Sequence, residues 1–361
     1  MNLEDAGYCV GFSLIPGIGR IKLSLLESYF GDLARAWQAS AADLRSAGLD
    51  ARTVDAVVAL RAGISLDDEM GKLKQYNVSL KTGDDLDYPR RLKEIYDYPP
   101  LLYVRGELVP EDEWAVAVVG TRRVSAYGRQ VTEEIVTDLA RNGITIVSGL
   151  AKGVDCIAHE TALQNGGRTI AVAACGLDMV YPSDHVALAR RVMERGALVS
   201  EFPVGTRPKA EHFPQRNRII SGLSLGVLVV EAGDKSGALI TGHLAVEQNR
   251  DVFAVPGSIF APASKGTNRL IQEGAKLVRN SADILEELNL SMVAQQLEMK
   301  ELVDTTDTES RLLGILSKEA VHIDDVCRHS GLSAATVSGS LAMLELKGLA
   351  RQVGSMNYVL A

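Results

Sequence analysis

Apolar and polar positions follow three successive patterns along this chain. Over residues 1–66, apolar positions recur at helical spacing: Ile21, Leu25, Leu26 and Tyr29, then Leu33, Ala36 and Trp37. Gly31 and Gly48-Leu49-Asp50 punctuate them, which predicts a set of small helices. A short strand is expected at Val78-Ser79-Leu80, then a turn-rich stretch to Pro100. Beyond it stand a continuous apolar run, Ala115–Val119, and further strand segments at Ile144–Val147, Thr169–Ala173, Ala197–Val199, Val227–Val230, Asp251–Val255 and Ala275–Val278. Unbroken apolar runs of this length mark buried parallel strands. Helical segments fall between them, the first over Ser125–Arg141 with Val131, Ile135, Val136 and Leu139 on one face.

Alternating β and α elements predict an α/β fold with a Rossmann-like, doubly wound, mostly parallel sheet. A small N-terminal helical domain (1–66) and a C-terminal winged-helix domain (307–361) flank the core (67–289), with a polar, acidic linker at 290–306. In the last domain, helices are expected over Arg311–Leu316, over Val321–Arg328, and after a Ser333 cap through Val337, Leu341 and Leu344. Gly348 ends that helix, and Leu349–Leu360 supplies a β-hairpin wing.

Charge sharpens this picture. The net charge is −8. Residues 1–114 carry −6, residues 115–280 carry +4, and residues 281–361 carry −6. A positive centre between acidic ends is compatible with an anionic partner, because steering follows the local field and not the total. No run approaches a membrane span, and the acidic start lacks the basic region of a secretory signal. Cys9, Cys156, Cys175 and Cys327 are far apart, with no CxxC pair. A cytoplasmic protein without structural zinc, other metal or cofactor is the expectation.

Ligands of doubly wound sheets bind outside the carboxyl ends of the strands, so the loops there carry the candidate chemistry. After the first parallel strand stands Gly120-Thr121-Arg122-Arg123-Val124-Ser125, which lacks the GxGxxG pattern of dinucleotide enzymes. Thr, Ser and two Arg before a helix make an anion site, or a solvated rim. After the second, Ser148-Gly149 and Lys152-Gly153 bring two glycines that let backbone approach a ligand, plus a cation. Asp155 is placed as a helix N-cap, and His159 as a core residue.

After the fourth, Lys209, Phe213, Arg216, Asn217 and Arg218 combine cations with an aromatic ring, the pairing that single-stranded nucleic acid needs. Phe213 beside Pro214 serves equally as a core anchor, and one of the two arginines can instead bridge acids inside the protein. After the fifth, Lys235-Ser236-Gly237 opens a helix containing Thr241 in a phosphate-cradling arrangement, without the GxxxxGK[ST] of a nucleotide triphosphatase. At the N-terminus, Leu14–Gly19 has the form of a helix-hairpin-helix hairpin, able to hold a phosphate or to act as a purely structural copy.

In this order, the loops resemble the DNA-processing protein A (DprA/Smf) family of bacterial natural transformation. The resemblance covers about residues 85–280. It runs through Tyr88-Pro89, Pro100–Tyr103, Gly120–Arg122, Ser148–His159, Tyr181-Pro182, Ser200-Glu201, Phe213–Arg218, Lys235–Gly237, Ala254–Gly257 and Gly274-Ala275. Lys152 stands where Arg is common, and Gly242-His243 replaces a common Ala-Arg. The resemblance implies a non-enzymatic protein that binds single-stranded DNA, forms a homodimer and helps load the RecA recombinase past single-strand-binding protein. An alternative is a nucleoside-monophosphate phosphoribohydrolase, but the loop Glu231–Thr241 lacks its PGGxGTxxE pattern. A transcription regulator is disfavoured because the third helix of the last domain is poor in basic residues.

Overall fold

The structure, a computed structural model, describes residues 3–290, 306–317, 320–346, 349–354 and 356–360. Apart from its two end residues, the expected linker lies outside the described residues, as does Gly348. The chain forms two compact units, 1–290 and 291–361.

The helical spacing at the start folds as α1 (Leu3–Ser13), α2 (Arg20–Phe30), α3 (Leu33–Gln38), α4 (Ala41–Ser46), α5 (Ala51–Arg61) and α6 (Leu66–Gln75). Asp32, Ser40, Asp50 and Ser65 each accept a hydrogen bond from the backbone N–H three residues on. Capping by these residue types offsets the unpaired donors of a helix start.

Nine strands follow: β1 (Ser79–Thr82), β2 (Leu101–Gly106), β3 (Ala115–Val119), β4 (Thr145–Ser148), β5 (Thr169–Val172), β6 (Gly196–Ser200), β7 (Gly226–Val229), β8 (Asp251–Ala254) and β9 (Lys276–Leu277). They form one sheet in the order β1-β2-β6-β5-β4-β3-β7-β8-β9. From β6 to β9 all neighbours are parallel, whereas β1–β2 and β2–β6 are antiparallel. The sheet is therefore mostly parallel and doubly wound, as the apolar runs predict. Strand β2 is an addition to that expectation. The helices between the strands are α7 (Arg90–Lys93), α8 (Ala126–Arg141), α9 (Val154–Gln164), α10 (Val186–Arg195), α11 (His212–Gly222), α12 (Gly237–Glu247), α13 (Lys265–Gln272) and α14 (Ser281–Glu287).

The period-2 geometry of strands splits the core between two faces. Leu101, Tyr103 and Leu198 pack in one cluster with the N-terminal helices and with Leu188 and Val192 of α10. Leu102, Val104, Ala117 and Val119 pack in the other with Ile219 of α11 and Leu239 of α12. Tyr103 is fully buried, and its hydroxyl is 3.1 Å from that of Ser13. The only polar atom of that ring is thus satisfied at the seam between α1 and the sheet.

The second unit contains α15 (Asp307–Leu313), α16 (Ile323–Ser330) and α17 (Ala334–Leu346), with β10 (Val321–His322), β11 (Ala350–Gln352) and β12 (Asn357–Leu360). The three strands pair antiparallel in the order β10-β12-β11 over a core of Leu312, Val326, Val337, Leu341 and Leu344. This is a winged helix. The Ser333 hydroxyl accepts from Thr336 N–H at 3.2 Å, the expected cap. Along α17, the exposed positions Ala335, Ser338, Gly339, Ala342 and Met343 are uncharged, and Glu345 is its one charged residue. Such a face offers phosphates no cation.

Candidate nucleic-acid interface

The chain leaves β3 for β4 on one side and later returns to β7 on the other. The strand order therefore reverses at β3 and β7, and the loops after them open a crevice at the carboxyl edge. The four strand-following loops singled out in the sequence end parallel strands of this sheet, so topology puts them on that one edge, whereas the Leu14–Gly19 hairpin joins α1 to α2.

The loop after β3 presents Arg122 and Arg123 to solvent. The Arg122 guanidinium lies 5.4 Å from the ring centroid of Phe213, which enters from α11. Tyr181 meets the same ring, with centroids 5.6 Å apart and planes at 61°. Tyr181 belongs to the loop after β5 and is 48% exposed. Three loops thus converge on one cation and two rings, a cation–π and edge-to-face arrangement that leaves aromatic surface facing solvent. Tyr181 has no role in the sequence reading beyond its place in the family motif.

Other cations ring the edge. Lys152 is exposed and paired with Asp184 at 2.6 Å. Lys209 is exposed, with Glu211 at 3.9 Å. Exposed pairs of this kind contribute little and exchange readily for another anion. Lys235 is exposed, while Ser236 caps α12 by accepting from Ala238 N–H at 3.4 Å. Gly237 is open to solvent, and its carbonyl is 3.5 Å from the Asn217 amide nitrogen. Thr121 and Gly120 are half-buried, and the Thr121 hydroxyl accepts from Arg123 N–H at 3.2 Å.

Several expected contacts prove to be internal. Ser148 is buried and its hydroxyl donates to Val118 O at 2.6 Å. Thr241 is 1% exposed, inside the packing of α12. Arg216 is 3% exposed and donates to the carbonyls of Gly149 and Val172. Arg218 clamps Glu201 with two hydrogen bonds of 3.0 and 2.6 Å and also meets Asp97 at 2.9 Å. Two arginines at i and i+2 of a helix diverge by about half a turn, which is why one enters the core and the other turns to Glu201.

Asp155 is not the N-cap of α9; Gly153 is. One turn in, its buried carboxylate accepts from Gly149 N–H at 3.1 Å and Ala151 N–H at 3.3 Å. Burial raises the Asp155 carboxyl, and the nearby Arg216 and Arg122 cations pull it back. Burial likewise pushes Arg216 down to about 10, with Asp155 opposing. The two glycines of this loop serve this internal packing. A Cβ on Gly149 would sit 2.6 Å from the Arg216 guanidinium and 2.8 Å from the Asp155 carboxylate. Gly153 has φ +84°, and a Cβ there would strike Thr121 O at 2.3 Å.

The start of α8 is also occupied from within. Glu231, 2% exposed at the end of β7, accepts from Ser125 N–H at 2.9 Å and from the Ser125 hydroxyl at 2.5 Å. Its carbonyl accepts from Thr121 N–H at 2.7 Å. The anion at this positive helix end is the protein's own carboxylate, so the loop offers Arg122 and Arg123 but not the helix terminus.

His159 is a core residue. The Thr169 hydroxyl spends its proton on Ile146 O at 2.7 Å, so His159 Nδ1, 2.6 Å away, is the donor to it. Burial pushes the imidazole down to about 3, which keeps it neutral. Among the described residues, no group of three or more His, Cys, Asp or Glu could hold a metal ion. No helix of these residues is long and apolar enough to cross a membrane.

A family model described as DNA recombination-mediator protein A matches residues 79–289. A second, the DprA winged helix domain, matches residues 297–355. Protein Smf of Escherichia coli is 38% identical over 343 residues, covering 91% of each chain. The X-ray structure of DNA processing protein A from Streptococcus pneumoniae superposes with a TM-score of 0.68 at 38% identity, over 78% of this chain and 97% of that one. DNA processing protein A from Helicobacter pylori, described for its single-stranded DNA binding mode, gives 0.53 at 32% identity, over 59% and 97%. With core, winged unit and nearly full-length relatives in agreement, the chain belongs to the DprA/Smf family of DNA-processing proteins.

Proposed function

We propose that this protein binds single-stranded DNA at the carboxyl edge of its large sheet and helps load RecA on incoming strands past single-strand-binding protein. It acts in the cytoplasm as a homodimer, and as a binding protein, not an enzyme. The observation that carries the reading is the Arg122–Phe213–Tyr181 cluster, with a cation for a phosphate and rings for a base within one contact network. The Helicobacter pylori relative's single-stranded DNA binding supports it. Among the described residues α17 carries no cation, which argues against duplex reading by the winged helix.

The phosphoribohydrolase alternative needs a free carboxylate after a late strand. Glu231 stands there, but it is buried and both its oxygens are bonded to Ser125. Salt titrations of binding to mixed-sequence single strands and duplexes test the proposal, with nucleoside monophosphate turnover as a control. Single strands should bind more tightly, with log affinity falling by ~0.7 per contacted phosphate per log unit of salt. Equal or tighter duplex binding sinks the proposal, and turnover of the monophosphate would revive the enzyme.

A further inference from the structure

The loop after β8 ends in the most exposed pair of adjacent apolar side chains on the carboxyl edge: Ile259 is 75% exposed and Phe260 is 88% exposed. They occupy the two central positions of a turn closed by Ala261 N–H donating to Ser258 O at 3.0 Å. Central turn positions usually carry Gly, Pro, Asn, Asp or Ser, and an exposed Phe forgoes the gain of burying its ring.

This turn is fixed from both sides. Gly257 exchanges two hydrogen bonds with the Asn268 amide, at 3.1 and 3.0 Å. Pro256 O accepts from the Tyr127 hydroxyl at 2.8 Å. Ala232 N–H donates to Ala263 O at 2.7 Å, and Gly266 N–H to Ala232 O at 2.8 Å. Tyr127 lies in the first turn of α8, directly after the Arg122 loop, and Ala232 follows Glu231. The turn is therefore tied to the start of α8, just beyond the Arg122 loop, and to the loop after β7. In the sheet, β8 stands two positions from β3, about 10 Å along the edge. Lys265, four residues beyond the turn, and Lys235, in the loop after β7, are both exposed.

We propose that the Ser258–Ala261 turn is a second base platform, on which Phe260, supported by Ile259, stacks a base of the strand extending from Phe213. This rests on the single-strand reading given above. A polyanion is favoured over a protein partner because the turn is continuous with a cation-lined edge and the exposed Lys235 and Lys265 can meet phosphates.

The test compares the intact chain with Phe260→Ala, Phe260→Trp and Phe213→Ala on single strands of about 4 and about 16 nucleotides. Thermal melting controls for folding; Phe260→Ala, on an exposed turn, should melt as the parent does. Phe260→Ala should weaken the longer strand about tenfold and leave the shorter one unaffected, whereas Phe213→Ala weakens both. The Phe260→Trp protein should keep full affinity, and the longer strand should quench its added fluorescence while the shorter one does not. Parental affinity of Phe260→Ala for the longer strand overturns the platform while leaving the Phe213 site intact. So does a changed oligomeric state with DNA affinity preserved, which would make the turn a protein contact. Failure of the parent to bind either strand removes the single-strand reading and this inference with it.

Discussion

Replacing Arg216 with methionine should destabilise the first unit by about 3–5 kcal/mol, the usual cost of stranding one partner of a buried charge pair. Arg216 has the larger of the two cationic influences on the buried Asp155, and it donates to Gly149 O and Val172 O. Without it Asp155 keeps its two backbone donors and the weaker pull of Arg122. The loss should shrink as pH falls. Burial already raises the Asp155 carboxyl above its ordinary value, so the native state takes up its proton before the unfolded chain does, and acidification favours the native state. Combining Arg216→Met with Asp155→Asn should recover part of the loss, as expected for neighbours that couple. Denaturant unfolding of the four proteins measures this. An Arg216 variant of parental stability that binds DNA poorly would instead return Arg216 to the interface.

Phe213 and Arg122 should behave differently. Phe213→Ala should weaken single-strand binding by about 1–3 kcal/mol with an unchanged salt slope, because stacking is lost and no charge is removed. Phe213 is only half-buried, so its stability cost should stay below the ~3–5 kcal/mol of a fully buried phenylalanine. Arg122→Ala should weaken binding and flatten the salt slope by somewhat under one unit, the signature of one lost phosphate contact. Binding isotherms at several salt concentrations, with melting on the same variants, separate these outcomes. A Phe213 variant that melts early but binds normally would make the ring a core anchor. An Arg122 variant with the parental slope would move the DNA path elsewhere on the edge.

The parallel core was legible in the sequence because strands buried on both faces must be apolar at every position, as Ala115–Val119 is. Strand β2 was not. It follows the turn signal Pro99-Pro100, ends at Arg105-Gly106 and pairs antiparallel, so its apolar stretch has no βαβ context. The cationic edge was legible as a set of loops, since all four follow parallel strands. Which polar residues face outward was not. For Arg216 and Arg218 the sequence shows only that one can bridge acids: it is Arg218, on Glu201, while Arg216 turns to the Val172 carbonyl. Glu231 reads as a strand-ending acid until its contact with Ser125, 106 positions away, gives it a partner. Tyr181 carries no signal of its own, because its contact with Phe213 exists only once the loops after β5 and β6 meet.

The central claim is that a single strand lies on the carboxyl edge between Arg122 and Phe213. Photo-cross-linking the intact chain to a single strand containing 5-iodouracil, with the adduct located by peptide mass spectrometry, tests it most directly. Adducts are expected on Phe213 or Tyr181, the two rings of the edge cluster. Adducts confined to the hairpin at Pro16–Gly19, or to α17 and the wing of the second unit, would contradict it.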